Sequence, residues 1–248
     1  MKILGDYHTH TTFSHGSGSV LRNAESAKQK GLKEIAITDH GFGHRLYAVK
    51  KAKFASVIAD AKNAEAATGV KVLVGIEANF LSEQGDIDLT PEEIKNLDVL
   101  LVGYHRFVKN SFKDKLKFTL TNLFRGKTKN QKIIQRNTNM IINALEKHPI
   151  DVITHLKHGY AVDVIKVAKK AVETNTFIEL NAGKMLFTKP EIKQMLDLGV
   201  KFIVNSDAHT PEKVGVFEEF LKKLQDFDIP EENIVNLNKT PQFKRKKL

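Results

Sequence analysis

The chain has 248 residues, of which 41% are hydrophobic and 27% charged, and this globular composition excludes a disordered or fibrous protein. It has no cysteine, which excludes disulfides and thiolate metal sites and leaves His, Asp and Glu as the strong metal ligands. No apolar run approaches the roughly 18 residues of a membrane span, so we expect no integral membrane association. The opening MKILGDYHTH is too polar for a signal peptide, and we expect a cytoplasmic protein.

The formal net charge of +10 is confined to two segments. Residues 106–136 carry ten Lys or Arg against one acid, residues 239–248 add five more positive charges, and the remainder of the chain is slightly acidic. A basic balance favours nucleic acid, membrane surfaces or phosphorylated substrates as partners. Any inference from charge therefore concerns this basic insertion, 106–136, and this basic C-terminal tail, 239–248.

Short apolar or β-branched runs alternate with longer helical patterns, which is typical of βα units around a parallel sheet. Seven strands are predicted, at 3–8, 34–38, 71–76, 99–104, 152–155, 177–181 and 201–205. Helices are predicted at 20–30, 46–68, 91–96, in two segments within 112–147, and at 162–174, 189–198 and 214–225. Because no linker divides the chain, we expect residues 1–248 to form one barrel-like domain, with 234–237 as an eighth strand or a docked tail.

Ionisable residues follow six of the seven predicted strands, where a parallel α/β barrel builds its site. They are His8, His10 and His15 after the first strand, Asp39 and His40 after the second, Glu77 after the third, His105 after the fourth, His155 after the fifth, and Asp207 and His209 after the seventh. The alternation of an extended strand places His8 and His10 on one side, where they can chelate one ion. Crowded ionisable groups add little stability unless something pairs with them, so the pattern predicts a multinuclear metal site.

This ordered set resembles the polymerase and histidinol phosphatase (PHP) superfamily. The motifs that carry the resemblance are Asp6-x-His8-x-His10, His15, Thr38-Asp39-His40-Gly41, Gly75-Ile76-Glu77, His105, His155 and Ser206-Asp207-Ala208-His209. The resemblance covers essentially the whole chain and implies a single distorted (β/α)7 barrel, similar to a TIM barrel, with three metal ions. It implies one ion held by His8, His10, Glu77 and Asp207, a second that Glu77 shares with His105 and His155, and a third held by His15, His40 and His209. The stretch Leu156-Lys157-His158-Gly159 departs from the Pro-Gly of many relatives, which leaves the local loop shape and substrate contacts open.

Histidine and carboxylate ligands suit zinc, manganese and iron, so we expect three divalent ions of one of these metals. Seven neutral imidazoles, two carboxylates and three such ions would leave an excess of positive charge that attracts a phosphoryl group. We hypothesise that a hydroxide bridging the two ions joined by Glu77 attacks a phosphate ester in line. Asp39 is a candidate orienting group or proton carrier, and Arg106 and Arg45 are candidate phosphate clamps, although each arginine could equally form a surface salt bridge.

These residues favour a metal-dependent phosphatase that acts on a small phosphate monoester, as histidinol phosphatases do. The alternatives are a PHP-type nuclease or nucleotide phosphoesterase acting on DNA or RNA, and a non-catalytic metal-binding or nucleic-acid-binding module. The basic insertion predicts an amphipathic helix with Phe112, Leu116, Leu120, Leu123 and Phe124 on its apolar stripe. It could be a lid over the site, a surface facing nucleic acid or membrane, or a solvated helix. We favour a lid or rim that guides small phosphorylated substrates to the site, and we favour such substrates as partners more than nucleic acid. The sequence does not indicate an oligomeric state.

Overall fold

The computed structural model of the protein describes residues 2–109, 122 and 129–244. Seven parallel strands lie side by side in chain order: β1 Gly5–Thr9, β2 Glu34–Ile37, β3 Lys71–Asn79, β4 Val99–Gly103, β5 Val152–Ile153, β6 Phe177–Asn181 and β7 Phe202–Asn205. Seven α-helices of the described residues surround them: α1 Val20–Gln29, α2 Phe54–Thr68, α3 Pro91–Lys95, α4 Gln131–Lys147, α5 Val164–Glu173, α6 Lys189–Asp197 and α7 Glu218–Leu224. The sheet curls into a nearly closed barrel, so the predicted (β/α)7 architecture is confirmed.

The first and last strands meet directly at the carboxyl end of the barrel. The backbone N–H of His10 donates to the carbonyl of Ala208 over 2.8 Å, and the N–H of Ala208 donates to the carbonyl of His8 over 3.2 Å. Two segments that carry nominated ligands, from opposite ends of the chain, are thereby held side by side.

The side chain of Asn236, which follows the last strand, also joins the same two strands. The buried Asn236 amide donates to the carbonyls of Gly5 (2.9 Å) and Val204 (2.6 Å) and accepts the Val204 N–H over 3.0 Å. The run 234–237 makes only isolated bridges, one to Ile3 and one to Phe202, and is not an eighth strand. Of the two alternatives, this run is therefore the docked tail. The side chain of Asn236 supplies hydrogen bonds to β1 and β7 where these strands do not pair with each other.

The pairing of β1 with β2 contains a β-bulge. Asp6 pairs with Ile35 and Thr9 with Ile37, so two residues of β1 oppose one of β2. A bulge re-aims side chains. Here it lets two consecutive residues both face the barrel interior. Tyr7 packs in an apolar cluster with Leu73 and Leu101, whereas His8 lies against Glu77.

Alternation along β3 divides the barrel interior into layers. Leu73 belongs to the apolar cluster at the amino end, while Glu77 and Asn79 lie further along the same face of the strand and reach the carboxyl end. The larger apolar core fills the space between the sheet and the helices. The packed layer below and the helices outside therefore leave only the carboxyl end for a polar site.

Two predicted helices are shorter than expected. The helix predicted over 46–68 begins at Phe54, because the first N–H groups of this stretch are bonded elsewhere: those of Leu46 and Tyr47 donate to Nδ1 of His44, and that of Val49 donates to the carbonyl of His40 over 3.0 Å. The helix predicted over 214–225 begins at Glu218, because Gly215 adopts a φ of 70° that no right-handed helix contains. Helix α2 ends at Thr68, as predicted, because Gly69 follows it with a φ of 74°.

Most of the basic insertion lies outside the described residues, together with its predicted apolar stripe and the last four residues of the basic tail. Residues 106–109 and 129–136 are described, and 131–136 open helix α4. Among the described helices, none combines the length and apolar character that crossing a bilayer requires.

We expect Asn236→Ala to lower the free energy of unfolding by about 2–4 kcal/mol, because buried backbone groups of both strands would lose their partner. Urea unfolding of the metal-free protein measures the change. The control is Asn238→Ala, which removes an amide hydrogen-bonded to exposed groups, Lys2 N–H and Glu231. Equal losses in the two variants would contradict the closing role of Asn236.

Candidate metal centre

The carboxylate of Glu77 lies at the centre of the carboxyl end of the barrel. Its Oε1 is 2.8 Å from Nε2 of His155 and 3.3 Å from Nε2 of His8. Its Oε2 is 3.0 Å from Nδ1 of His40 and 3.4 Å from Nε2 of His105. Four strands thus contribute an imidazole to one fully buried carboxylate.

Asp207 forms a second focus beside the first. Its Oδ1 lies 3.5 Å from Nε2 of His8, 3.4 Å from Nε2 of His10 and 3.6 Å from Nδ1 of His209. Its Oδ2 receives the ammonium of Lys184 over 3.1 Å. The shared neighbour His8 joins the two foci into one cluster.

The structure brings together all nine side chains that the sequence nominates as ligands. Within the described residues, four overlapping groups place one donor atom of each member within 4.8 Å of the others: His8, His10 and Asp207; His8, Glu77 and His155; His40, Glu77 and His105; and His10, His40 and His209. His15 lies outside these groups, but its ring centroid is 4.8 Å from that of His40 and 4.2 Å from that of His209. The nine side chains therefore form one continuous cluster of potential metal ligands.

The backbone at this end of the barrel is adapted to the cluster. His155 and Asp207 adopt positive φ angles of 29° and 55°, which non-glycine residues rarely do and which concentrate at functional sites. Gly103 ends β4 where a Cβ would lie 2.4 Å from Thr154 Oγ1 and 3.0 Å from Glu77 Oε1. Only glycine therefore lets β4 approach the central carboxylate this closely.

Three acceptors outside the cluster fix which nitrogen carries the proton in three of the rings. Nδ1 of His8 faces Glu179 Oε1 at 2.7 Å, Nδ1 of His105 faces Asn79 Oδ1 at 2.7 Å, and Nδ1 of His209 faces the Asp207 carbonyl at 2.8 Å. Carboxylate and carbonyl oxygens accept only, so each Nδ1 is the donor. In the neutral rings, each Nε2 then carries a lone pair, and those of His8 and His105 face the carboxylate of Glu77.

A nitrogen lone pair that faces a carboxylate is favourable only when a positive charge lies between the two. The pKa shifts of His8 and Glu77 agree with this. Burial opposes the charged form of His8, but Glu179, Glu77 and Asp207 outweigh it and raise the pKa of His8 well above its usual value. Burial likewise opposes the charged form of Glu77, but the neighbouring His105 and His8 hold its pKa well below its usual value. A bound proton on His8 thus occupies the place where a metal cation fits.

Glu179 and Asn79 were not singled out by the sequence analysis. Glu179 lies inside β6, the one predicted strand without an ionisable residue at its end, and it also accepts the N–H of His155 over 2.8 Å. A carboxylate within a buried apolar strand was the available signal. Asn79 follows Glu77 by two residues, on the same face of β3, and this spacing was the corresponding signal.

His44 is oriented differently from the nine. Its Nδ1 accepts the backbone N–H groups of Leu46 (3.3 Å) and Tyr47 (3.0 Å), so the neutral ring carries its proton on Nε2. Burial, followed by the neighbouring His40 and His105, lowers the pKa of His44 to about 3. His44 is therefore a neutral donor beside the cluster.

A cavity of about 520 Å³ opens over the cluster. Besides seven of the nine nominated ligands, it is lined by His44, Tyr47, Tyr104, Arg106, Phe107, His158, Gly159 and Lys184. Its volume is in the range of small-molecule pockets. A small ligand in this cavity would contact the cluster and a partly cationic wall together.

The two arginines nominated from the sequence differ in position. Arg106 lines the cavity, next to Gly159. The Nε of Arg45 instead donates to the Val108 carbonyl over 3.3 Å, and Arg45 is not among the residues that line the cavity. Of the two, Arg106 has the position that a phosphate clamp needs.

The carboxylate of Asp39 engages the turn between His10 and His15. It accepts the N–H of Thr11 over 2.7 Å, the Thr11 hydroxyl over 2.6 Å and the Ser14 hydroxyl over 2.5 Å. These bonds fit an orienting role for Asp39, one of the two roles nominated from the sequence.

The barrel and its clustered histidines and carboxylates define a PHP-type metal-binding protein. Residues 6–183 match the model of the PHP domain, and the chain belongs to this family. The resemblance inferred from the sequence is thereby confirmed.

Proteins similar to this chain include two named probable phosphatases. The one from Caldanaerobacter subterraneus subsp. tengcongensis is 30% identical over 263 residues, covering 100% of this chain and 93% of the relative. The one from Thermoanaerobacter sp. is 32% identical over 251 residues, covering 95% and 91%. Among solved structures, histidinol phosphate phosphatase from Lactococcus lactis subsp. lactis, in complex with zinc, L-histidinol and phosphate, has a TM-score of 0.62 at 13% identity, covering 93% of this chain and 95% of that one. This last likeness shows the shared fold.

We expect the metal-free protein to lose stability as the pH falls below about 6.5, and His44→Gln to reduce that loss. The pKa of His44 is about 3 in the folded chain against 6.5 unfolded, so between these values only the unfolded chain binds the proton. Acid therefore favours unfolding in this window, and glutamine removes the contribution. Urea unfolding at about pH 7.5 and about pH 5 measures it. Equal losses in wild type and variant would contradict the assignment of His44 as a neutral donor.

Proposed function

We propose that the chain is a metal-dependent phosphatase that hydrolyses a small phosphate monoester at a centre of three divalent ions held by the nine nominated ligands. The observation that carries the proposal is that Nε2 of His8 and Nε2 of His105 both face the carboxylate of Glu77, while their Nδ1 atoms are held by Glu179 and Asn79. Membership of the PHP family and the names of the two bacterial relatives support the same reaction class.

The donor atoms present fit divalent cations. Six buried atoms of the cluster make no hydrogen bond: Nε2 of His8, both ring nitrogens of His10, Nδ1 of His40, Nδ1 of His155 and Oε2 of Glu77. Buried polar atoms of native proteins are rarely left without a partner unless an ion or water supplies it. Imidazole and carboxylate ligands suit zinc, manganese and iron, and the zinc in the Lactococcus enzyme makes zinc the first ion to test.

Each group of side chains has a separate task in this proposal. Glu77 and Asp207 would be the carboxylate ligands of the ions, and Glu179 and Asn79 keep His8 and His105 in the orientation that ligation needs. Bound divalent ions would offset the negative charge of the phosphoryl oxygens and lower the pKa of water toward neutrality. Asp39 holds the turn that carries His10 and His15.

The cavity wall supplies the recognition of the phosphate. Arg106 and Lys184 line it with positive charge, and His44 can add a neutral Nε2–H donor. A guanidinium matches two phosphate oxygens at once, whereas an ammonium acts as a point charge. The cavity volume of about 520 Å³ favours a small alcohol as the leaving group, and histidinol phosphate is the first candidate because the Lactococcus enzyme is a histidinol phosphate phosphatase.

A substrate panel tests the proposal. We expect zinc-loaded or manganese-loaded protein to hydrolyse a small phosphate monoester, with histidinol phosphate, nucleotides and single-stranded DNA as the panel. We expect Glu77→Gln to lower both kcat/KM, by at least about 100-fold, and the metal content, because the central shared carboxylate is lost. The control is Glu92→Gln, whose carboxylate is 80% exposed on α3.

Two results would contradict the proposal. One is fully metallated protein that hydrolyses no phosphate ester. The other is turnover of DNA alone with a steep loss of affinity as salt increases, which would instead indicate a nuclease.

We expect Arg106→Met to raise KM for the phosphate monoester about 10-fold or more, because the cavity would lose its guanidinium. Arg45→Met is the matched control, since Arg45 lies on the neighbouring loop but not in the cavity wall. Steady-state kinetics on both variants separate the two arginines. Equal effects on KM would contradict the clamp role of Arg106.

A further inference from the structure

A carboxylate outside the nine ligands, Asp88, collects donors from two ligand-bearing segments. Its Oδ1 accepts the backbone N–H of Asn79 over 2.7 Å. Its Oδ2 accepts the side-chain amide of Asn79 over 2.5 Å and the backbone N–H of Gly43 over 2.7 Å. Asp88 lies between β3 and α3 and does not belong to any of the four ligand groups.

The direction of these hydrogen bonds determines which ring nitrogen of His105 carries the proton. Asp88 acts on His105 through Asn79, which bonds to both. A carboxylate only accepts, so Asn79 must turn its Nδ2 toward Asp88 and its Oδ1 toward His105. Oδ1 also only accepts, so Nδ1 of His105 carries the proton. Its Nε2 is then left with a lone pair, 3.4 Å from Oε2 of Glu77. The orientation of one amide thus decides whether His105 can bind a cation.

The same carboxylate supports the loop that follows His40. A Cβ on Gly41 would lie 2.5 Å from Oδ2 of Asp88, and a Cβ on Gly43 would lie 2.8 Å from its Cβ. The loop therefore rests against Asp88 at a distance that only glycine permits. His40, the residue before Gly41, places its Nδ1 3.0 Å from Oε2 of Glu77, the oxygen that His105 also faces.

We propose that Asp88 is a positioning residue of the metal centre, which fixes the proton of His105 on Nδ1 through Asn79 and seats the loop that carries His40. The inference rests on the proposed function only in that it assumes the metal centre. The carboxylate of Asp88 then sets the positions of both His40 and His105, the two ligands that face Oε2 of Glu77.

The exchange of the two side chains gives a sharp test of this network. In Asp88→Asn, an amide nitrogen must face at least one of the donors, which favours a flipped Asn79 that presents Nδ2 to His105 and moves the His105 proton to Nε2. In the double variant Asp88→Asn, Asn79→Asp, the carboxylate introduced at position 79 accepts from both the amide introduced at position 88 and His105, which restores the proton to Nδ1. Asn79→Ala breaks the link but leaves Asp88 its two backbone donors.

The probe is zinc alone, titrated into metal-free protein by calorimetry, with ¹⁵N NMR of His105 in the metal-free protein as the second readout. Asp151→Asn is the matched control, because Asp151 is a buried carboxylate that accepts the N–H groups of Leu100 and Lys244 at the opposite end of the barrel. A spectrum of His105→Gln identifies the His105 signals.

We expect Asp88→Asn and Asn79→Ala to weaken one class of zinc sites by about 10-fold to 100-fold and to remove the Nδ1–H signal of His105. We expect the double variant to regain both, and Asp151→Asn to lower the melting temperature while zinc affinity is unchanged. Rescue by the exchange is a result that a purely structural role of Asp88 would not produce.

Unchanged zinc affinity in Asn79→Ala would overturn the inference, even if Asp88→Asn fails to fold. Zinc affinity that is lost in Asp88→Asn and not regained in the double variant would also overturn it, and would leave Asp88 as a loop support only. Wild-type protein that behaves as expected with zinc but hydrolyses no phosphate ester would contradict the proposed function and leave this inference standing.

Discussion

The organisation of the carboxyl end of the barrel depends on one constraint: five imidazoles lie within 3.7 Å of the single buried carboxylate of Glu77. Two of these rings, His8 and His105, direct Nε2 toward it, because Glu179 and Asn79 bind their Nδ1 on the far side. Such an arrangement is unfavourable without a cation in the middle. The buried hydrogen bonds around the cluster therefore stabilise a geometry that becomes favourable when a cation is bound.

Small departures of the strands from regular geometry bring the side chains of the cluster together. The bulge in β1 allows Tyr7 and His8 to face the same interior, and Gly103 lets β4 come close to Glu77. Positive φ angles at His155 and Asp207 aim these side chains into the cluster. Each departure costs some stability locally, and each lies in or next to the cluster.

The strand order, the barrel class and the gathering of the nine nominated ligands were predictable from the sequence, because alternation and strand-end position are local properties. The network around the ligands was not. Glu179 and Asp88 lie within segments whose local pattern carries no metal-binding motif, and Glu179 meets His8, from the other end of the chain, while Asp88 meets Gly43. The helix predicted over 46–68 starts late for a related reason, since hydrogen bonds of Leu46 and Tyr47 to the His44 ring outweigh the local helical pattern there. Tertiary hydrogen bonds of this kind leave little trace in a single sequence.

The meeting of β1 and β7 has a consequence for how the protein acquires metal. His8 and His10 are made first on the ribosome, and Asp207 and His209 last among the ligands, so the group formed by His8, His10 and Asp207 cannot exist until the barrel has closed. Contacts this far apart in sequence form late in folding. Metal that binds only the closed barrel adds its binding free energy to the folded state alone. Metal supply in the cell would then act as a quality check, in which chains that fail to close remain unmetallated and are the first to be degraded.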